Sequence, residues 1–175
     1  MLNIRKAVFD DFDAVYEFYR IVCEAAEREE YGPVWHIGIY PSASDLREHI
    51  ENGELWIGER EGEILSAMVV TDREDTIYEQ VPWKLSFSPE HVSVLHLFAV
   101  KTQARGQGIS RKMLERMFDF CRKQGKTVIH LDVVAGNLPA EMLYQHVGFS
   151  FTCEMNVFYE DTGELRVRLY EYKLD

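Results

Sequence analysis

The sequence predicts a mixed α/β fold, on three observations. Short apolar runs alternate with stretches whose apolar residues recur every three to four positions, in the order βααββ and then β-α-β-α-β-β. The run Val92–Val100 is almost wholly apolar, as a strand buried on both faces must be. No repeat, low-complexity segment or linker interrupts the 175 residues, so residues 1–175 form one domain, large enough to bury a core without disulfides or metals.

Residues 2–9 alternate and read as the first strand. Asp10 can cap the helix that follows, in which Val15, Phe18, Tyr19, Val22 and Ala26 share a face, and which ends near Glu29 or Glu30. Residues 31–40 are aromatic and carry Gly32-Pro33 and Gly38, the signals of a loop. Ser42 or Ser44 opens a short helix that Asn52-Gly53 closes. Strands over Leu55–Arg60 and 64–71 meet at a tight turn, Glu61-Gly62. Residues 72–90 are polar, with Pro82, Trp83 and Pro89, and read as a long loop. A helix over 109–124 sets Ile109, Met113, Leu114, Met117, Phe118 and Cys121 on one side and stops at Gly125. Residues 127–134 form another buried strand. Pro139 suits the first turn of a helix that runs to about His146 and stops at Gly148. Strands over 149–159 and 165–174 close the chain, turned at Asp161-Thr162-Gly163.

Composition narrows the function classes. Hydrophobic content of 46% and charged content of 28% are those of a globular protein. No apolar run reaches the ~20 residues that span a bilayer, and residues 1–6 lack the apolar core of a signal peptide, so the expected compartment is the cytoplasm, with no membrane partner. Cys23, Cys121 and Cys153 are far apart and odd in number, which predicts buried, reduced thiols and no metal site. A net charge of −11 argues against a nucleic-acid partner. The basic residues nevertheless cluster: Lys101, Arg105, Arg111, Lys112, Arg116, Arg122, Lys123 and Lys126 face only Glu115 and Asp119 in that segment. Such a run is either a solvated helix face or a site for a small, strongly anionic ligand.

The second reading gains from the turn beside it. A buried strand, 94–100, leads through Gln103-Ala104-Arg105-Gly106-Gln107-Gly108 into a helix. Glycines let the backbone wrap a ligand, and a helix start offers unpaired N–H groups and a positive dipole end, which together suit phosphate. A P-loop would need Lys-Ser/Thr after the second glycine, where Ile109-Ser110 stands; a dinucleotide fingerprint would need a third glycine, where Arg111 stands. Gln103-x-x-Gly106-x-Gly108 instead resembles the pyrophosphate loop of the GNAT superfamily of N-acetyltransferases. A second stretch, Asn137-Leu138-Pro139-Ala140-Glu141-Met142-Leu143-Tyr144-Gln145-His146-Val147-Gly148-Phe149, is similar to that family's N-x-x-A-x-x-L-Y-x-x-x-G-F, and Leu97-Phe98-Ala99-Val100 matches its central strand. The resemblance covers most of the chain in element order and mainly 92–149 in residue detail.

The resemblance implies a mostly antiparallel central sheet, splayed at the fourth strand and flanked by helices. It implies acetyl-coenzyme A as cofactor, with Arg105, Gly106, Gln107, Gly108, Ile109 and Ser110 around the pyrophosphate. Some of Lys101, Arg105, Arg111 and Lys112 would contact the 3′-phosphate. Backbone groups of Phe98, Ala99 and Val100 would pair with the pantetheine arm in the gap, and an N–H there would polarise the thioester carbonyl. Asn137 is similar to the family asparagine near the pantetheine and reads equally as a helix cap. Tyr144 matches the family tyrosine that returns a proton to the departing sulfur; its other reading is a core aromatic. His96 lies where family members often carry Glu or His, and its ordinary pKa near 6.5 suits proton removal from an amine. A hydrogen-bonded core histidine is the alternative.

The implied reaction is transfer of the acetyl group to a primary amine by direct attack in a ternary complex, most simply a small-molecule amine. Two other classes stay open: an acyl-coenzyme A-binding sensor without turnover, and a protein lysine or N-terminal acetyltransferase. Trp35, His36, Tyr40 and Trp83 are candidates for the acceptor pocket, with buried aromatics as the plain alternative. Residues 35–42 look like a segment of some small bacterial members. The oligomeric state is left open, a homodimer included.

Overall fold

The computed structural model describes residues 1–74, 76–159 and 162–175. Strands β1 (Asn3–Lys6), β2 (Leu55–Arg60), β3 (Glu63–Thr71), β4 (Val92–Val100), β5 (Val128–Val134), β6 (Ser150–Tyr159) and β7 (Gly163–Lys173) form one sheet, in the order β1-β2-β3-β4-β5-β7-β6. All neighbours are antiparallel except β4 and β5. Helices α1 (Phe12–Ala26), α2 (Ala43–Glu51), α3 (Ile109–Lys123) and α4 (Leu138–His146) cover it.

Strand alternation sorts the core into two layers. Ala67 and Val69 of β3 pack with Phe18, Tyr19, Leu46 and Ile50, under α1 and α2. Met68 and Val70 turn the other way, onto Met113, Leu114 and Met117 of α3 and Tyr144 of α4. A third cluster buries Tyr78 and Val81 against Val92, Val94, Val128 and Leu169. Cys23 and Cys121 are buried as expected, whereas Cys153 on the edge strand β6 is half-buried. Among the described residues no helix is long and apolar enough to cross a membrane.

Local chemistry sets the boundaries. Ser42 accepts from Asp45 N at 3.1 Å while Asp45 accepts from Ser42 N at 2.8 Å, a reciprocal cap that starts α2. Glu61 and Gly62 both have positive φ, 53° and 80°, the backbone of a type I′ hairpin. Two expectations are corrected. The first strand stops at Lys6, and the carboxylate at the start of α1 is Asp11, not Asp10: Asp11 accepts from Val8 N at 2.8 Å and takes a two-pronged bond from Arg5. That guanidinium holds the Asp11 carboxyl below the usual carboxylate range. The segment read as a long loop contains two 3-10 turns, Thr76–Gln80 and Pro89–His91. Asp161 of the expected final turn lies outside the described residues; Gly163, at φ 75°, opens β7.

Candidate active site

The sheet comes apart between β4 and β5. Their parallel ladder runs only from Val92↔Val128 to Val94↔His130. Beyond it β5 stays paired with β7 as far as Val134↔Val167, and β4 stays paired with β3 as far as Val100↔Ser66. A bulge in β4 drives the divergence: the β3–β4 register shifts between Ala67 and Val69, and Leu97 takes a positive φ of 48°. The Tyr19 hydroxyl, fully buried on α1, donates to the Leu97 carbonyl at 2.8 Å and holds the bulge from below.

The bulge decides which backbone groups look into the gap. Lys101 N donates to Leu65 O at 2.9 Å, and the Ala99 carbonyl accepts from Ser66 Oγ at 2.8 Å. Alternation then turns the Phe98 and Val100 groups away from β3, toward the gap. The Ala99 carbonyl, bonded to Ser66 Oγ, is turned toward β3.

A cavity of about 350 Å³ opens in this gap. Leu95, His96, Leu97 and Phe98 of β4 form one wall, and Asp132, Val133 and Val134 of β5 face them. Asn137, the N-cap of α4, and Ala140 and Tyr144 within it line the cavity as well. Trp35, Ile39 and Tyr40 also line it, from a loop drawn tight by mutual backbone bonds between His36 and Tyr40. The structure thus brings together His96 and Phe98 of β4, Asn137 and Tyr144 at the N-cap and in the body of α4, and Trp35 and Tyr40 of the loop before α2.

Tyr144 is buried and sits edge-on to Phe149, at 5.6 Å between ring centres. Burial, and then the Asp132 carboxylate, push its hydroxyl well above the ordinary range, so it stays protonated at neutral pH. Asn137 is half-buried and caps α4 through a long bond from Ala140 N, 3.4 Å, so it serves the helix and lines the cavity at once.

The glycine turn lies where β4 leads, through Thr102–Ala104, into α3. Gly106 and Gly108 have φ of 75° and 72°, which favour glycine, and the space around both is open. The turn is braced from outside. Arg105 and Thr102 both reach Glu29 at 2.7 Å, and Gln107 accepts from Arg60 at 2.9 Å. The Ile109 side chain is buried in the core, while Ser110 is half-exposed at the helix start. Of the basic residues nearby, Lys101 is buried and bonded to Glu63 at 2.7 Å. Arg111 and Lys112 are exposed on the first turn of α3.

Trp83 does not line the cavity. Its ring stacks flat on His130, 3.5 Å between centres and 5° between planes, and its Nε1 donates to the Tyr78 carbonyl at 3.2 Å. The loop aromatics serve to bury His130, which is fully enclosed and whose Nδ1 meets the Glu74 carboxylate. Sequence reasoning missed Asp132. Tyr78 donates to its Oδ1 at 2.6 Å, and it is the one acidic side chain in the described cavity lining. A carboxylate inside the apolar run 127–134 was the available signal.

The family model of the acetyltransferase (GNAT) family matches residues 13–149. The chain belongs to that family. Its fold is shared with a Staphylococcus aureus N-acetyltransferase at 19% identity and TM-score 0.70, over 100% of this chain and 99% of that one. It is shared with Salmonella typhimurium yncA, solved with its cofactor acetyl-CoA, at 19% identity and TM-score 0.68, over 99% and 94%. The Escherichia coli ribosomal-protein-S18-alanine N-acetyltransferase gives 20% and 0.68, over 100% and 95%. At such identities the likeness is one of fold. No curated protein matches the chain in sequence.

Proposed function

We propose that the protein transfers the acetyl group of acetyl-coenzyme A to the primary amine of a small molecule, by direct attack within a ternary complex. The observation that carries this is the convergence of His96, Tyr144 and the outward-facing edge of β4 on one cavity, at the end of the strand that leads into the glycine turn. The residues fit the cofactor. Gly106 and Gly108 leave the turn open, the amides at the start of α3 suit a pyrophosphate, and Phe98 and Val100 offer strand-like pairing to an extended arm.

When bound, acetyl-coenzyme A supplies an activated thioester. A backbone N–H of β4 would donate to its carbonyl. His96 removes a proton from the amine, directly or through water. Tyr144, kept protonated by burial, would supply a proton to the departing sulfur.

Calorimetric titration with acetyl-coenzyme A tests the cofactor site, with Gly108→Trp as the blocked turn. Micromolar binding that the variant loses, followed by thiol release with amines, supports the reading. A folded wild-type protein that binds no acetyl-coenzyme A overturns it.

A further inference from the structure

We infer that the adenosine 3′-phosphate end of acetyl-coenzyme A lies in a second pocket, between α3 and the end of α4, with the Arg111 guanidinium on the 3′-phosphate; this rests on the acetyltransferase reading above. The pocket holds about 260 Å³. Arg111, Leu114, Glu115 and Phe118 of α3 line it, facing His146 and Val147 at the end of α4. Arg111 stands three residues past Gly108, about 4.5 Å along the helix axis. With the pyrophosphate on the amides at the start of α3 and the pantetheine arm in the gap between β4 and β5, the remaining end of the cofactor emerges beside this first turn.

The lining suits that end. Leu114 and Phe118 are buried and Val147 is half-buried, an apolar floor for a flat base. Among the described residues Arg111 donates only from Nε, to Glu115 at 2.8 Å, so the two terminal nitrogens of its fork remain for a phosphate. The ion pair itself is exposed, 73% and 55%, and such pairs hold weakly. The Glu115 carboxylate repels a phosphate but accepts from the exocyclic amino group of adenine, which orders the two ends of the nucleoside in the pocket. Across from them the exposed His146 ring carries an N–H that donates to a phosphate oxygen. The rival cations are engaged or lie elsewhere. Lys101 is buried on Glu63 and Arg105 is held by Glu29, both at 2.7 Å. Lys112 shares the first turn of α3 but does not line the pocket.

Calorimetric titration of the full chain with acetyl-coenzyme A and with its 3′-dephospho analogue reads the contact directly. The wild type should bind the analogue about tenfold more weakly, the size of one hydrogen bond to a charged group at an exposed site. Arg111→Gln should raise the acetyl-coenzyme A Kd about tenfold and leave that of the analogue within about twofold, which also reports that the variant is folded. Lys112→Gln should keep the wild-type preference. The His146 ring-proton signal, assigned with His146→Gln, should move on saturation with acetyl-coenzyme A. Equal affinity of the wild type for both compounds overturns the 3′-phosphate contact. A preference that survives Arg111→Gln, or that Lys112→Gln abolishes as fully, overturns Arg111 as its source. An unmoved His146 signal overturns the pocket. A wild type that binds neither compound overturns the acetyltransferase reading instead.

Discussion

The Tyr19 hydroxyl and the Leu97 carbonyl, 2.8 Å apart, join helix α1 to the bulge that opens the sheet. Tyr19→Phe leaves that carbonyl buried without its donor. We expect a loss of about 1–3 kcal/mol in unfolding free energy, together with weaker acetyl-coenzyme A binding because the bulge loses its support. Urea denaturation and calorimetry measure both. Unchanged affinity would mean that the β3 register alone holds Leu97 in place.

Tyr144→Phe removes only the hydroxyl from a buried ring that packs on Phe149. Turnover should fall by roughly 10²–10⁴ while acetyl-coenzyme A affinity changes little. Calorimetry beside steady-state kinetics separates the two effects, and wild-type turnover in the variant would remove Tyr144 from the chemistry.

Gly58 on β2 is glycine for reasons of space. A Cβ there would meet Met113 Sδ at 2.9 Å, with Ser66 Cβ at 3.6 Å. Met113 is fully buried on α3, so it must shift within a packed core. Gly58→Ala should cost about 1–3 kcal/mol, read as a lowered melting temperature with the cofactor affinity unchanged.

His130 makes stability depend on pH. Burial lowers its pKa to about 4, against the opposing pull of the Glu171 carboxylate. The folded chain therefore keeps the imidazole neutral where the unfolded chain, with its ordinary pKa near 6.5, protonates it. The unfolded state binds more protons between about pH 6.5 and 4, so this contribution is complete above that window and falls as pH drops through it. The loss should reach at most about 3 kcal/mol, less whatever the facing Glu74 carboxylate, itself raised by burial, returns to the cation. Urea midpoints at pH 7.5 and 5 should differ more in the wild type than in His130→Phe, which keeps a ring under Trp83. Equal slopes would reject His130 as the source.

Which features were legible in the chain follows from their range. The helices and most strand boundaries came through because periodicity and capping act within a few residues: Ser42 with Asp45, Glu61 with Gly62, Gly108 before Ile109. The glycine turn and the Asn137–Phe149 stretch were readable for the same reason, each being one loop and one helix start or end. Asp11 displaced Asp10 because its partner is Arg5 on a strand, a pairing that periodicity does not reveal.

The β5 side of the cavity escaped a linear reading. Tyr78 and Asp132 are 54 residues apart, and only the placement of the 3-10 turn over β5 brings them within a hydrogen bond. Trp83 had the composition of a pocket wall, yet went to the nearest large buried surface, the His130 ring. The Ala99 carbonyl meets Ser66 Oγ across strands 33 residues apart, and the one-residue bulge in β4 sets that register. Element type, the glycine turn and the Tyr144 helix are properties of short segments, and their physics is local. The splay, the carboxylate in the cavity and the direction of each backbone group depend on which distant strands pair and in what register. Those relations exist only once the chain is packed.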